Sequence, residues 1–146
     1  MGMKAVLPAM IAVGSVMLLA GCSLSREGLE SHDDAASQMF SESYEEIYQR
    51  LSVMGEKCYP RGHDQGNAGN RLAGSIESEG ELHKDRGFAD FRLVTSSWSV
   101  RTNYFLSAKI ENAGSGSRVT TKANNPLIAG GLSKIIFRWA GGDQNC

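Results

Sequence analysis

The densest group of side chains that could do chemistry lies between residues 61 and 67. His63 stands beside Asp64, and a neighbouring carboxylate can orient an imidazole for general base catalysis. Arg61 carries a planar guanidinium that suits an anionic ligand. Adjacent residues rarely point in the same direction, however, and no serine or cysteine stands in a recognisable nucleophile context. We therefore interpret the segment as a solvent-exposed loop, predict no enzymatic activity, and keep Tyr59, Arg61 and His63 as candidate partner-binding residues.

The sequence indicates neither a metal site nor a cofactor site. His32, His63 and His83 are scattered, and none has the spacing of a metal ligand relative to another histidine or a cysteine. The glycine-rich stretches 113–116 and 130–131 lack the lysine and the strand–turn–helix setting of a phosphate-binding loop. We interpret the first stretch as a turn and the second as a place of close packing.

A stronger chemical signal stands at the end of the apolar run from Ala5 to Ala20, where Gly21 is followed by Cys22. The run contains Pro8 and is shorter than the roughly 20 apolar residues of a membrane-spanning helix. Small side chains let a backbone enter a peptidase site, and only a thiol can form a thioether to a lipid. The stretch from Leu19 to Cys22 resembles the lipobox of bacterial lipoproteins, which signal peptidase II cleaves before the cysteine.

This resemblance implies a signal peptide at residues 1–21 and acyl chains, palmitate among them, on Cys22. Three acyl chains exceed the two signals that stable membrane anchoring requires. Ser23 stands where inner-membrane retention usually has aspartate, so we expect the periplasmic leaflet of the outer membrane. Residues 22–37 are polar and acidic, which predicts a lipidated flexible tether, and residues 38–146 form a single periplasmic domain.

Cys58 and Cys146 are the cysteines that remain once Cys22 carries lipid. In an oxidising periplasm such a pair predicts a disulfide, which would hold the last residue of the chain in place. Two free buried thiols are the alternative.

Hydrophobic periodicity predicts the secondary structure. Apolar residues at three- and four-residue steps between Tyr44 and Met54 predict a helix, with Ser43 as its cap. A second helix follows Asn125, with an apolar stripe from Ile128 to Trp139. Between the two helices, alternating residues predict four strands, and Glu77, Glu79 and Glu81 alternate as solvated edge charges. The prediction is an α+β fold: an antiparallel four-stranded sheet with the N-terminal and C-terminal helices packed on one face.

Partner binding would need exposed aromatic or apolar groups. Trp98 lies between two strands near Arg101, which makes both candidate binding residues; the alternative is that Trp98 belongs to the core. Phe105 on the uncovered sheet face is a further candidate. The charge pattern lacks the dense basic patch of a nucleic-acid binder, so we expect no nucleic-acid partner.

The segment around Cys58, together with Trp139-Ala140-Gly141 through Cys146, is similar to small outer-membrane lipoproteins of proteobacteria. We expect a non-enzymatic binding or assembly module whose partner is an envelope protein or a cell-wall component. One alternative is an inhibitor of a hydrolase such as a lysozyme, acting through the loop at residues 59–70. The other is a small hydrolase that joins His63 or His83 to a carboxylate.

Overall fold

The structure is a computed structural model, which describes residues 25–59, 75–97 and 100–146. The described helices are α1 (Arg26–Glu30), α2 (Tyr44–Cys58) and α3 (Pro126–Ala140), with a 3-10 turn at Lys84–Arg86. The strands are β1 (Asp34–Phe40), β2 (Ser75–His83), β3 (Phe88–Ser97), β4 (Val100–Asn112) and β5 (Ser117–Ala123). They form one antiparallel sheet in the order β1-β5-β4-β3-β2. In these ranges no helix is long and apolar enough to cross a membrane.

One face of the sheet packs against α2 and α3. Alternate residues of the three central strands point into this layer and are buried there, among them Phe91, Leu106 and Val119. The helices contribute Ile47, Leu51, Met54, Ile136 and Trp139 to the same core. The predicted α+β class and the placement of both long helices on one face are therefore confirmed.

Local sequence explains where α2 begins and how closely it packs. The Ser43 hydroxyl accepts a hydrogen bond from the backbone N–H of Glu46 at 3.2 Å, which caps the first turn. Gly55 lies inside the helix, and a Cβ built on it would stand 2.6 Å from Ser78 Oγ and 2.9 Å from Phe91 Cε2. A residue without a side chain therefore lets α2 approach the sheet.

The structure differs from the sequence prediction at the N-terminal end of the fold. The sheet has five strands rather than four, because β1 pairs with β5 along its length. Most of the segment that we expected to be a tether, residues 22–37, therefore lies in α1 and β1. The polar character of β1 has a physical reason: it is an edge strand, so residues such as Ser37 and Gln38 stay exposed.

A further difference is that α1 packs against β4 and β5 on the face opposite to α2 and α3. Leu29 is its anchor, since this side chain is only 1% exposed. A short helix thus covers part of the sheet face that we expected to be uncovered.

The C-terminal tail returns along α2. The Arg50 guanidinium donates to the carbonyl of Ala140 at 2.8 Å, and Lys57 Nζ donates to the carbonyl of Gln144 at 2.6 Å. As predicted, Cys58 and Cys146 form a disulfide, which joins the end of α2 to the last residue. The helix and the tail are therefore held together at both ends of their contact.

The apolar stripe of α3 contacts the core over only part of its length. Trp139 is 1% exposed, and its indole N–H donates to the carbonyl of Asn145. Ile128, by contrast, is 45% exposed, so the first turn does not pack as predicted. Nothing lies within 4 Å of a Cβ built on Gly130 or Gly131, so the expected close packing at these glycines is wrong.

Candidate functional site

Charged and polar side chains cover much of the sheet face on which α1 packs. The register of the strands places Arg92 of β3, Ser107 of β4 and Lys122 of β5 directly opposite one another. The next row along the strands contains Asp90, Lys109 and Thr120. Facing residues on neighbouring antiparallel strands lie about 5 Å apart, so each row brings its side chains within reach of one ligand.

These two rows form the floor of a groove that α1 borders on one side, with a volume of about 740 Å³. Its remaining charged lining residues are Arg26, Glu30, Glu111 and Arg118. Five basic and three acidic side chains therefore line the groove: Arg26, Arg92, Lys109, Arg118 and Lys122 against Glu30, Asp90 and Glu111. Its size is that of ordinary small-molecule sites, which span roughly 300–1,000 Å³.

One polar contact caps the start of α1, and another attaches its end to the sheet beside the groove. Ser25 caps the helix by accepting a hydrogen bond from the backbone N–H of Gly28 at 3.1 Å. Lys122 Nζ donates to the carbonyl of Glu30 at 2.9 Å, which ties the end of the helix to β5. Within α1, Arg26 Nε donates to Glu30 Oε1 at 3.0 Å, and this hydrogen bond raises the pKa of the Arg26 guanidinium.

The carboxylate of Asp90, on β3, lies close to two guanidinium groups and one imidazole. Its Oδ2 lies 3.1 Å from Arg92 Nη2, 3.5 Å from His83 Nε2 and 3.7 Å from Arg26 Nη2. The Arg92 side chain is 6% exposed. Its Nη2 is buried and makes no hydrogen bond, because the approach to Asp90 lacks hydrogen-bond geometry. The site thus holds a desolvated guanidinium with an unsatisfied donor.

The structure brings His83 to carboxylates, as the small-hydrolase alternative requires. His83 Nε2 lies 3.6 Å from Glu81 Oε2 as well as near Asp90. Its Nδ1, however, contacts Arg86 Nη2. Because a guanidinium has only donors, Nδ1 must be the acceptor, and the ring proton then resides on Nε2. Arg86 thus occupies the Nδ1 lone pair, whereas the separations of 3.5 and 3.6 Å at Nε2 are too long for good hydrogen bonds.

An aromatic ring closes the end of the groove that is remote from α1. Phe88 packs against the His83 ring, with centroids 4.5 Å apart. Arg86 Cζ and Lys109 Nζ lie 4.8 Å and 5.1 Å from the Phe88 centroid, which is cation–π range. Phe88 therefore lines the groove, and His83 packs against its ring.

Two of the predicted binding residues lie against the core. Phe105 packs partly buried on the hydrophobic cluster. Tyr59 is similarly placed, with its ring 6.2 Å from that of Trp139, and burial raises the pKa of its hydroxyl. Both residues are partly buried, and partner binding by Phe105 and Tyr59 stays a prediction.

The other predicted site residues are not described by the structure. Arg101 belongs to β4, but its side chain is outside the described part. Cys22, Arg61, His63 and Trp98 lie outside the described residues altogether.

The sequence reasoning missed the groove itself. Ser107 and Lys109 were on the polar side of a predicted strand, which is a signal that they face away from the helices. Arg92 between Phe91 and Leu93 was a further signal, since a charged residue inside an apolar strand must find partners on the opposite face. Where side chains are described, no group of three or more histidine, cysteine, aspartate or glutamate residues could hold a metal ion.

No protein-family model matches this chain, and comparisons with curated proteins and with solved structures found no match.

Proposed function

We propose that this chain is a lipid-anchored, non-enzymatic binding module of the bacterial cell envelope, which presents the groove to an envelope component. Acyl chains on Cys22 hold it on the periplasmic leaflet of the outer membrane. The observation that carries the proposal is the short distance in sequence between Cys22 and the fold. Ser25, three positions later, already caps α1, and α1 borders the groove.

That spacing determines where the groove can work. Three extended residues span at most about 10 Å. A lipid on Cys22 therefore holds α1 against the headgroup region, and a partner must reach the groove at the membrane surface. A domain on a long tether would instead sample the space beyond the headgroups.

The side chains in the groove favour binding over catalysis. Ser37 Oγ and Thr120 Oγ1 are hydrogen-bonded to each other at 3.2 Å. Arg86 contacts Nδ1 of His83, and among the described residues no imidazole is hydrogen-bonded to the groove hydroxyls of Ser37, Ser107 and Thr120. A nucleophile without a base is weak at neutral pH. What the groove offers is a fixed set of charges and hydroxyl groups.

The anchoring part of the proposal is tested by mass spectrometry of the N-terminal peptide from cell membranes. We expect a diacylglyceryl thioether on Cys22 and the loss of residues 1–21. Cys22→Ala should leave the chain uncleaved and unacylated. An unmodified Cys22 in the membrane fraction of wild-type cells would refute lipid anchoring.

The binding part is tested by site-specific photo-cross-linking in intact cells. Met39 is 52% exposed and faces Arg118 across the strand pair, at the rim of the groove. Val53 is 58% exposed on α2, behind the other face of the sheet, and provides the matched control. We expect a discrete adduct from a photoreactive residue at Met39 that disappears with Arg118→Glu. Equal adducts from both positions would contradict binding through the groove.

A further inference from the structure

We propose that the groove binds a phosphoryl group, which Arg92, Ser107 and Lys122 receive in the row nearest α1. The inference rests on the proposed function, because it names the ligand of the same groove. The phosphoryl group could belong to a lipid headgroup or to a soluble phosphate ester, and the experiment below distinguishes these two sources.

The row has the arrangement of an oxyanion site. Ser107 lies at the centre of the sheet, with Arg92 facing it from β3 and Lys122 from β5. A hydroxyl can donate one hydrogen bond to an oxyanion, and a cation on each side stabilises the negative charge. One side chain from each of three strands thus lies in the same row, and the sheet fixes the spacing between these side chains.

Arg92 supplies the independent indication of a ligand. It is 6% exposed, lines the groove, and keeps Nη2 buried without a hydrogen-bond acceptor. Buried polar atoms nearly always have a partner. Because Asp90 satisfies this guanidinium incompletely, Arg92 keeps donor capacity that an acceptor in the groove could use. Its planar fork of donors suits phosphate oxygens better than a lysine ammonium does.

The charge balance favours an anion with more than one negative charge. Lys109 is paired with Glu111 at 2.6 Å, and Arg92 with Asp90 at 3.1 Å. In the described part of the chain Arg118 has no such pair, and basic side chains outnumber acidic ones in the groove. A tetrahedral phosphoryl group offers three oxygens to donors on three strands, whereas a carboxylate offers two.

The test uses the mature lipidated protein in phosphatidylcholine nanodiscs, with inorganic phosphate as the first probe and amide NMR shifts as the readout. We expect saturable shifts at Ser107 and its cross-strand neighbours. Ser107→Ala should weaken phosphate binding by about tenfold, which is the loss expected for a hydrogen bond to a charged group. Ser52→Ala on α2, on the other side of the sheet, should leave the affinity unchanged.

Arg92→Lys is a second variant, which keeps the positive charge and loses the fork. We expect weaker phosphate binding with an unchanged circular dichroism spectrum. If this variant does not fold, Ser107→Ala alone decides. The inference is overturned if phosphate shifts no groove amide, or if Ser107→Ala and Ser52→Ala bind phosphate equally well.

The second arm replaces part of the phosphatidylcholine by phosphatidic acid, without added phosphate. Groove shifts that appear with phosphatidic acid assign the phosphoryl group to a headgroup. Groove shifts with inorganic phosphate alone assign it to a soluble ester. If neither probe acts while the adduct at Met39 persists, the ligand class is wrong and the proposed function stands.

Discussion

Removal of the Cys58–Cys146 disulfide should cause a large loss of stability in this protein. The bond closes a loop with a sequence separation of 88 residues. The chain-entropy relation gives a stabilisation of about 4.6 kcal/mol for a loop of this size, since it restricts the unfolded chain. Residual contacts of the tail and structure in the unfolded state reduce this figure. We expect Cys58→Ser/Cys146→Ser to lower the free energy of unfolding by about 3–4.5 kcal/mol.

That loss is a large part of the roughly 5–15 kcal/mol that stabilises an ordinary domain. The assay is urea unfolding of a chain that begins at Ser23, which keeps every described residue. In a Trp98→Phe background, the fluorescence of Trp139 is a local probe, because its indole lies near the tail. Far-UV circular dichroism gives the global transition, and coincidence of the two shows that the fold unfolds as a unit.

The matched control for this measurement is Lys57→Met. It removes the contact between Lys57 Nζ and the carbonyl of Gln144 but leaves the disulfide intact. As an exposed surface contact it should change stability by less than about 0.5 kcal/mol. A serine double variant that unfolds within about 1 kcal/mol of the wild type would refute the loop-closure reasoning. A reduced wild-type protein should behave like the double variant.

Three further changes test the packing and the charges. Gly55→Ala should lower the unfolding free energy, because overpacking against Ser78 and Phe91 costs about 1–3 kcal/mol and helix propensity returns about 1. Ser78→Gly should relieve part of this loss, and stabilisation by Gly55→Ala alone would contradict the close approach. Thr121→Val should lower the unfolding free energy in urea titrations by about 1–3 kcal/mol, because the buried Ser133 hydroxyl loses its hydrogen-bond partner at 2.7 Å. The double variant Thr121→Val/Ser133→Ala should lose less stability, and equal losses would argue against the hydrogen bond. The hydrogen bond from Arg50 lowers the pKa of Glu42 below its usual 4.5. The ionised carboxylate therefore stabilises the fold above pH 4.5, and this stabilisation is lost as the pH falls through the pKa of Glu42 in the folded state. Glu42→Gln should therefore flatten the acid limb of stability against pH, and an unchanged limb would contradict the assignment.

Alternation and helical periodicity predict most of this fold, because burial on one face imposes them. β4 shows this well: Leu106, Ala108 and Ile110 are buried, and the residues between them face the groove. The helix caps at Ser43 and Asn125 could also be predicted from the sequence, because the start of a helix needs a side chain that accepts a hydrogen bond. These features depend on neighbours in sequence.

β1 and the groove depend on residues that are distant in sequence. Residues 34–40 contain no β-branched side chain, and the strand is stabilised by pairing with β5 rather than by its own propensity. Arg92, Ser107 and Lys122 form a row only because of the strand register. A single chain does not reveal that register, so the charges were visible in sequence but their convergence was not.

The pairing of β1 with β5 has a consequence for the order of assembly. Ser37 meets Thr120, which is synthesised 83 positions later, and Cys58 waits for a partner 88 positions away. During synthesis from the N-terminus, the backbone groups of β1 therefore have no hydrogen-bond partner until β5 has been synthesised. Contacts of such long range slow folding. Unpaired strand edges favour aggregation, so β1 is exposed to this risk over that interval. The pairing with β5 completes the hydrogen-bonded closure, and the bond to Cys146 completes the covalent one.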